Sequence, residues 1–300
     1  MISIVTAYYN RRALFIRTLE SIKKQNHKSA FEVIAVDDGS EENERLEDLI
    51  SEYSFLKIIR LEKKDKWYSN SCIPFNVGFK AAKGDKIIIQ NPECLHYGQV
   101  LDYVDKYLTD TDYLCFSCLS LDKEITDNLD ERLKDKLFIE QLISSKDLIH
   151  GKDGRNGWYS HSQHRPMPFH FCTAITNKNL KKLGGFDELF SLGIAYDDNE
   201  FLCRINKMRL NIKFIDNEIV LHQNHYLPTS TSFQSRSNKE VLMEKNLDIY
   251  RSITINKNYV ANRIIKNMPS SIKAIYLPKE IFFWKIFIGL KKMVKKMIKS

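Results

Sequence analysis

The stretch from Phe31 to Ser40, FEVIAVDDGS, constrains the fold more than any other part of the sequence. Six mostly apolar residues follow one another without alternation, which is typical of a strand buried on both faces of a sheet. The run ends in Asp37 and Asp38, followed by the turn signal Gly-Ser. Ligands bind beyond the carboxyl ends of strands in open parallel sheets, and buried carboxylates are costly unless they bind something, so this strand end predicts a ligand site. An Asp-Gly turn with a helix cap is the alternative interpretation.

Strand-like and helix-like segments alternate on both sides of this strand. Apolar residues at helical spacing predict helices over residues 12–25, 44–53, 72–83 and 98–108. Continuous apolar runs predict strands over residues 56–61, 86–89 and 113–121, in addition to the opening segment 2–10. This order argues for βαβ units, and hence for an α/β fold with a mostly parallel central sheet flanked by helices.

The composition is that of a soluble globular chain, with 43% hydrophobic and 28% charged residues. The six cysteines are scattered through apolar segments, and Met1 leads directly into a predicted strand without a signal peptide. We therefore expect a reduced, cytoplasmic location. Cys115 and Cys118 have the spacing of a redox motif, but they lie within a predicted strand, which favours core packing.

Five motifs follow one another along the chain: IVTAYYN at residues 4–10, VDDGS at 36–40, IIIQNPE at 87–93, LGGFDE at 183–188 and AYDDNEFLCRI at 195–205. Together they resemble the inverting glycosyltransferases of family 2, which have the Rossmann-like GT-A fold. The resemblance implies inverting transfer of a sugar from a nucleotide-sugar donor to a saccharide or lipid-linked saccharide acceptor, as in capsule or lipopolysaccharide-type surface polysaccharide synthesis. A non-catalytic subunit that binds nucleotide sugars or scaffolds a polysaccharide complex is the alternative.

The resemblance covers roughly residues 1–225. We predict that this part is the GT-A domain, with a nucleotide-binding half over residues 1–95 and an acceptor half over residues 96–225. Residues 226–300 would then form a C-terminal helical extension.

The resemblance places the donor nucleotide against the end of the first strand and the Asp-Asp-Gly-Ser turn, with the second acid of that turn on the base. The predicted nucleotide-binding residues are Ala7, Tyr8, Asn10, Asp37, Asp38 and Asn76. Alternatively, Asp37 holds the turn and does not bind the nucleotide. The alternative for Asn76 is an amide on the surface of a helix.

Asn91 and Glu93 occupy the position where the resembled family has Asp-x-Asp, the motif that holds a divalent cation beside the donor diphosphate. Both side chains can offer oxygen ligands to Mg²⁺ or Mn²⁺. Because Asn91 carries no charge, we expect weaker metal binding than two aspartates would give. His222 is assigned to the same metal or diphosphate site by resemblance. The alternatives are an Asn-Pro turn and a structural histidine.

The acidic group Asp197, Asp198 and Glu200 opens a predicted helix, where capping is the simpler interpretation. Arg204 lies four residues after Glu200, which indicates a held carboxylate cluster. An inverting transfer needs one base to take the proton of the attacking hydroxyl. By resemblance Asp198 is that base, and Asp197 and Glu200 support it.

Residues 151–168 are polar, rich in glycine and without periodicity, which predicts a binding loop. Disorder is the alternative, against which the aromatic residues of the segment argue. The histidines here lack cysteine partners at zinc spacing, so we assign them to acceptor binding. The predicted acceptor-loop residues are Trp158, Tyr159, His161 and His164, with His170 nearby.

Most of the net charge of +8 lies at the C-terminus, because residues 271–300 contain eight lysines and one glutamate. Residues 279–299 combine an apolar stripe with lysines elsewhere, which predicts a basic amphipathic helix lying on an anionic membrane. We therefore expect a peripheral position at the inner face of the cell membrane. Packing of this helix on the body, or on a second copy in a homo-oligomer, is the alternative. No nucleic-acid partner is expected, because the charge sits in one tail and no nucleic-acid-binding module is present.

Overall fold

The computed structural model describes residues 1–145, 155–225, 238–253 and 261–262. The predicted C-terminal amphipathic helix lies outside these described residues. The strands are β1 Ile2–Tyr8, β2 Phe31–Asp37, β3 Leu56–Arg60, β4 Lys86–Gln90, β5 Cys94–His96, β6 Asp112–Ser120, β7 Gly157–Ser160, β8 Cys172–Thr176 and β9 Asn211–His222. The helices are α1 Arg12–Lys23, α2 Cys72–Ala81, α3 Val100–Tyr107, α4 Lys123–Asp127, α5 Leu129–Arg132, α6 Lys136–Ser144, α7 Asn177–Leu183, α8 Asp197–Lys207 and α9 Lys239–Ile253.

All these strands belong to one sheet with the order β3-β2-β1-β4-β8-β6-β9-β5, and β7 pairs with β6. The first four strands in this order run parallel, as the alternating strands and helices predict. The register sets Tyr8 beside Asp37, so β1 and β2 end at the same level. The loops that follow them therefore meet at one edge of the sheet.

The second half of the sheet is mixed. Strand β8 is antiparallel to both β4 and β6, whereas β9 runs parallel to β6. The short strand β5 is antiparallel to β9, with Cys94 opposite His222. This pairing brings the end of β9 beside Glu93, although the two segments are far apart in the sequence.

Strand β2 is buried on both faces, as its unbroken apolar run predicts. Val33 and Ala35 belong to the apolar cluster shared with α1 and α3. Ile34 and Val36 belong to the cluster shared with α2, α7 and α8. The sheet is thus covered by helices on both sides, and its loop-bearing edge is the part left open.

Besides the short strand β5, which was not predicted, two segments differ from the sequence-based prediction. Residues 44–53 form two short 3₁₀ segments, Glu42–Glu44 and Glu47–Ser51, instead of one helix. The tighter turn stacks residues three apart, which buries Leu46 and Leu49 together and leaves Ile50 exposed.

The second difference is strand β7, which lies inside the segment predicted to be a loop. Trp158 and Tyr159 point to opposite sides of this strand and belong to different apolar clusters. The alternation is too short, and its flanks are too polar, to be recognised from the sequence. In the part of the chain that is described, no helix is both long and apolar enough to span a bilayer.

Candidate active site

A cleft of about 490 Å³ opens at the carboxyl ends of β1, β2 and β4. One wall is formed by Ala7, Tyr8 and Asp38 and by the segment Asn91–Glu93. The facing wall is formed by residues 194–199, at the start of α8. The cleft therefore lies where an open α/β sheet is expected to bind its ligand.

Asp38 lines the cleft, as predicted, and is held by two neighbours. The Lys66 ammonium and the Tyr68 hydroxyl each donate to one of its carboxylate oxygens. The same ammonium lies 5.0 Å from the centre of the Tyr9 ring. Burial raises the pKa of Asp38, and the attraction of Lys66 only partly offsets this. Asp38 is thus a fixed hydrogen-bonding group between an aromatic face and a cation.

Three other predicted nucleotide-binding residues have structural roles and do not line the cleft. Asp37 is fully buried; it accepts a hydrogen bond from the Ser40 backbone and lies 2.9 Å from the Arg60 guanidinium. Asn10 accepts a hydrogen bond from the backbone of Glu41. Asp37 therefore holds the turn, which was its alternative assignment.

Asn76 is also a correction to the prediction, because its amide faces the turn that follows α7. Its nitrogen donates to the Phe186 carbonyl and to Glu188, and its oxygen accepts from the Phe186 backbone. The side chain is buried, so it is not a surface amide either. It fixes this turn against α2 instead of touching a ligand in the cleft.

Glu93 stands at the centre of a compact buried cluster. One carboxylate oxygen lies 3.1 Å from Nε2 of His222 and 3.0 Å from Nε2 of His225. The other oxygen accepts a hydrogen bond from Nη1 of Arg11 at 2.6 Å. Burial alone would raise the pKa of Glu93, but Arg11 and the two imidazoles outweigh it and hold the pKa well below its usual value. Glu93 is therefore ionised at neutral pH.

This cluster fits a divalent cation. The ligand atoms of Glu93, His222 and His225 all lie within 4.8 Å of one another. Burial lowers the pKa of His225 to about 4, so its imidazole is neutral and can serve as a ligand at pH 7. Mg²⁺ takes oxygen ligands, whereas two imidazoles and one carboxylate suit a transition-metal ion better. Asn91 lines the cleft beside Glu93.

The three acids at the start of α8 have different surroundings. The Asp197 carboxylate is buried and accepts a hydrogen bond from Asn70 at 3.0 Å. Burial, followed by the repulsion of Asp198, raises the pKa of Asp197 to about 7. Glu200 forms the predicted ion pair with Arg204, which also donates to the carbonyls of Leu183 and Gly185.

Asp198 and Asp197 both line the cleft, but Asp197 and Glu200 are buried, whereas the side chain of Asp198 keeps 29% of its surface exposed. Nδ1 of the buried His170 lies 3.6 Å from its carboxylate. Burial lowers the pKa of His170, so this imidazole is neutral at pH 7. Asp198 is therefore an accessible carboxylate beside a neutral imidazole.

The predicted acceptor-loop residues do not line the cleft. Trp158 and Tyr159 are buried in β7, and the rings of His161 and His164 lie 4.4 and 6.1 Å from that of Trp158. Their aromatic character, which suggested binding, serves packing instead. The nearby residues that do reach the cleft are Arg165, which pairs with His161, and Phe169, His170 and Phe171, which follow the predicted loop.

Sequence reasoning missed several residues of the site. His225 had a usable signal, because it follows His222 by three positions and His222 ends a strand. Arg11, Lys66 and Asn70 had none, since each lies in a loop and reaches its partner across the sheet edge. Only the packing of the sheet shows which loop side chains converge.

Comparison with solved structures agrees with this architecture. The structure resembles S. aureus TarS 1-349 with a TM-score of 0.52 and 15% sequence identity, over 74% of this chain and 60% of that chain. TarS 1-349 in complex with UDP-GlcNAc gives a TM-score of 0.55, with 15% identity over 85% of this chain and 66% of that one. The sheet order, the position of the cleft and these likenesses define the fold class, which is GT-A, as predicted.

The chain belongs to glycosyl transferase family 2, whose sequence model matches residues 3–181. It is similar to the chondroitin synthase of Escherichia coli, with 25% identity over 92% of this chain and 42% of that protein. It is also similar to the hyaluronan synthase of Pasteurella multocida, with 26% identity over 92% of this chain and 30% of that protein. The chain spans less than half the length of these curated relatives. Family membership makes it an enzyme of the transferase class.

Proposed function

We propose that this glycosyltransferase moves a sugar from a nucleotide-sugar donor to a saccharide or lipid-linked saccharide, with inversion at the anomeric carbon. The observation that best supports this proposal is the arrangement of the cleft, which has Asp38 on one wall and the accessible carboxylate of Asp198 on the other. In the proposed reaction, Asp198 takes the proton of the acceptor hydroxyl while the oxygen of that hydroxyl bonds to the anomeric carbon of the donor sugar. The bond from that carbon to the diphosphate breaks on the opposite side.

The residues that would hold a divalent cation are Glu93, His222 and His225. A bound cation would stabilise the negative charge that builds up on the departing diphosphate. Asn91 remains within reach of the same region of the cleft and would position the donor. Asp38 would orient the base, since its carboxylate is fixed by Lys66 and Tyr68.

The proposed pathway is the synthesis of a bacterial surface polysaccharide, of the capsule or lipopolysaccharide type. Support comes from the curated relatives, which are named as synthases of chondroitin and hyaluronan, two saccharide polymers. The chain covers only part of each relative, so polymerisation itself is not included in the proposal. The basic pattern of residues 279–299 supports an acceptor at an anionic membrane surface.

The donor site is tested by a thermal-shift screen of UDP-, GDP-, CMP- and dTDP-sugars with and without Mn²⁺, since a ligand that binds only the folded state raises Tm. We expect one nucleotide class to raise Tm more strongly with Mn²⁺. Asp38→Asn should lose most of that shift, whereas Asp85→Ala, an exposed acid remote from the cleft, should retain it. A screen without any shift, or an unchanged shift in Asp38→Asn, would contradict the assignment.

A further inference from the structure

Arg11 connects the Glu93 cluster to the open cleft, and no motif assigns it a function. Its Nη1 donates to Glu93 at 2.6 Å and its Nε donates to the Tyr9 carbonyl at 3.2 Å. Its side chain lines the cleft and keeps 14% of its surface exposed. Nη2 donates no hydrogen bond to any residue that the structure describes. The N–H groups of Nη2 can therefore donate hydrogen bonds to a ligand that enters the cleft beside the Glu93 cluster.

The charges of this cluster differ from those of a site with two aspartates. The carboxylate of Glu93 is the one anionic ligand of the three, and the guanidinium of Arg11 already balances it. Imidazoles that bind a metal are neutral and add no charge. A divalent cation alone would therefore leave uncompensated positive charge in a largely buried place, next to a guanidinium that repels it. A donor diphosphate would supply the missing negative charge.

We infer that Arg11 makes metal binding depend on the donor diphosphate. Without the diphosphate, the guanidinium holds Glu93 and weakens binding of a free cation. When the diphosphate enters, the guanidinium donates to its phosphate oxygens, for which its planar set of N–H groups is well suited. The cation and the diphosphate then bind as a unit. This inference rests on the proposed nucleotide-sugar site and adds a diphosphate-binding residue to it.

The first test measures Mn²⁺ binding without nucleotide, from the loss of the free-ion signal in electron paramagnetic resonance. We expect Arg11→Gln to bind Mn²⁺ at least about tenfold more tightly than the wild type, because the repelling charge is gone. A purely structural role predicts the opposite, since Glu93 would lose the group that orients it. Arg12→Gln removes a charge from the adjacent residue, whose guanidinium pairs with Asp48 outside the cleft, and should bind Mn²⁺ like the wild type.

The second test titrates UDP and inorganic pyrophosphate in the presence of EDTA and of Mn²⁺. Pyrophosphate is included because it tests the diphosphate contact whatever base the donor carries. In EDTA we expect Arg11→Gln to bind both probes about tenfold more weakly. In the wild type, Mn²⁺ and the diphosphate should strengthen each other's binding by the same factor, and this factor should fall in Arg11→Gln.

Arg11→Lys keeps the charge and loses the planar fork. Arg11→Lys should bind free Mn²⁺ as weakly as the wild type does, and it should bind pyrophosphate more weakly than the wild type does. If Arg11→Gln does not fold, Arg11→Lys is the variant used for the test. The inference is overturned if folded Arg11→Gln binds free Mn²⁺ no more tightly than the wild type, if it binds pyrophosphate equally well, or if Arg11→Lys binds free Mn²⁺ tightly. Failure of the wild type to bind any sugar nucleotide, UDP or pyrophosphate with Mn²⁺ overturns the proposed function itself.

Discussion

The acids at the start of α8 show how neighbours divide roles among similar side chains. Glu200 is committed to Arg204, and Asp197 is buried against Asn70. Asp198 alone among these three combines access to the cleft with a nearby neutral imidazole. Sequence spacing places all three in one helical turn and cannot separate them.

Asp198→Asn keeps the shape of the side chain and removes the base. We expect turnover to fall by about 10²–10⁴-fold, which is the usual contribution of a positioned general base. Donor affinity should stay close to that of the wild type, because Asp38 and the Glu93 cluster are untouched. Single-turnover kinetics and nucleotide titration measure the two quantities separately. Near-normal turnover would move the role to Asp197 or Glu200.

The raised pKa of Asp197 predicts how stability depends on pH. The folded state binds this proton more strongly than the unfolded state, so the free energy of unfolding falls as pH rises from about 4 to about 7. Asp197→Asn can still accept the hydrogen bond from Asn70 and carries no charge. We expect this variant to be more stable than the wild type at pH 8 by about 1 kcal/mol or more, and the difference to shrink toward pH 4. Urea unfolding at both pH values is the measurement, and equal pH dependence would refute the explanation.

The position of Asp38 in the cleft was predictable from the sequence, because a single strand determines it. Asp38 directly follows the buried strand β2, and topology fixes where the carboxyl ends of parallel strands lie. The Glu93 cluster combines β4, β9 and a loop after β1, and its complete membership depends on the pairing of β5 with β9. Asn76 was misassigned because a motif gives its position along the helix and does not give the direction of its side chain.

At the scale of elements, α9 holds the loop that presents Asp198. The buried Asn246 of this helix donates to the carbonyls of Phe190 and Ala195, at 3.1 and 2.8 Å. Ala195 and Tyr196 have φ values of 59° and 65°, a conformation that costs free energy for residues other than glycine. The helix therefore stabilises a strained turn immediately before the proposed base.

Asn246→Ala should release this turn. We expect kcat to fall by about tenfold or more, because small displacements of a reacting group are costly, while donor affinity changes little. The control is Val241→Ala on the same helix, whose side chain is 68% exposed and should leave both parameters unchanged. A parallel loss of kcat and donor affinity, or a loss explained by unfolding at the assay temperature, would show that Asn246 acts on the fold as a whole.

Strong periodic patterns predicted the strands and helices of the first 120 residues, apart from the short strand β5 and the 3₁₀ segments. The 3₁₀ segments differ from the prediction because Leu46 and Leu49 are buried three residues apart. Strand β7 was missed because it alternates over too few residues to form a recognisable pattern. The mixed direction of the second half of the sheet depends on long-range pairing, for which local periodicity carries no information.

At the scale of the whole molecule, the charge is unequally divided between body and tail. Of the net charge of +8, the last thirty residues carry +7, so the rest of the chain is nearly neutral. Residues 279–299 combine these lysines with an apolar stripe. Two attractions on one segment suffice for reversible attachment to a membrane surface.

We predict that the full chain co-sediments with liposomes containing anionic lipid and is released by high salt, because each lysine near the surface contributes about 1 kcal/mol. Replacing Lys291, Lys292, Lys295 and Lys296 with Gln should weaken binding and reduce its salt dependence. Deleting residues 279–300 should abolish binding and preserve transfer to a soluble acceptor. Liposomes of neutral lipid are the control and should bind the full chain weakly. A truncated protein that is insoluble, or inactive on the soluble acceptor, would instead assign this segment to the folded body or to a contact between subunits.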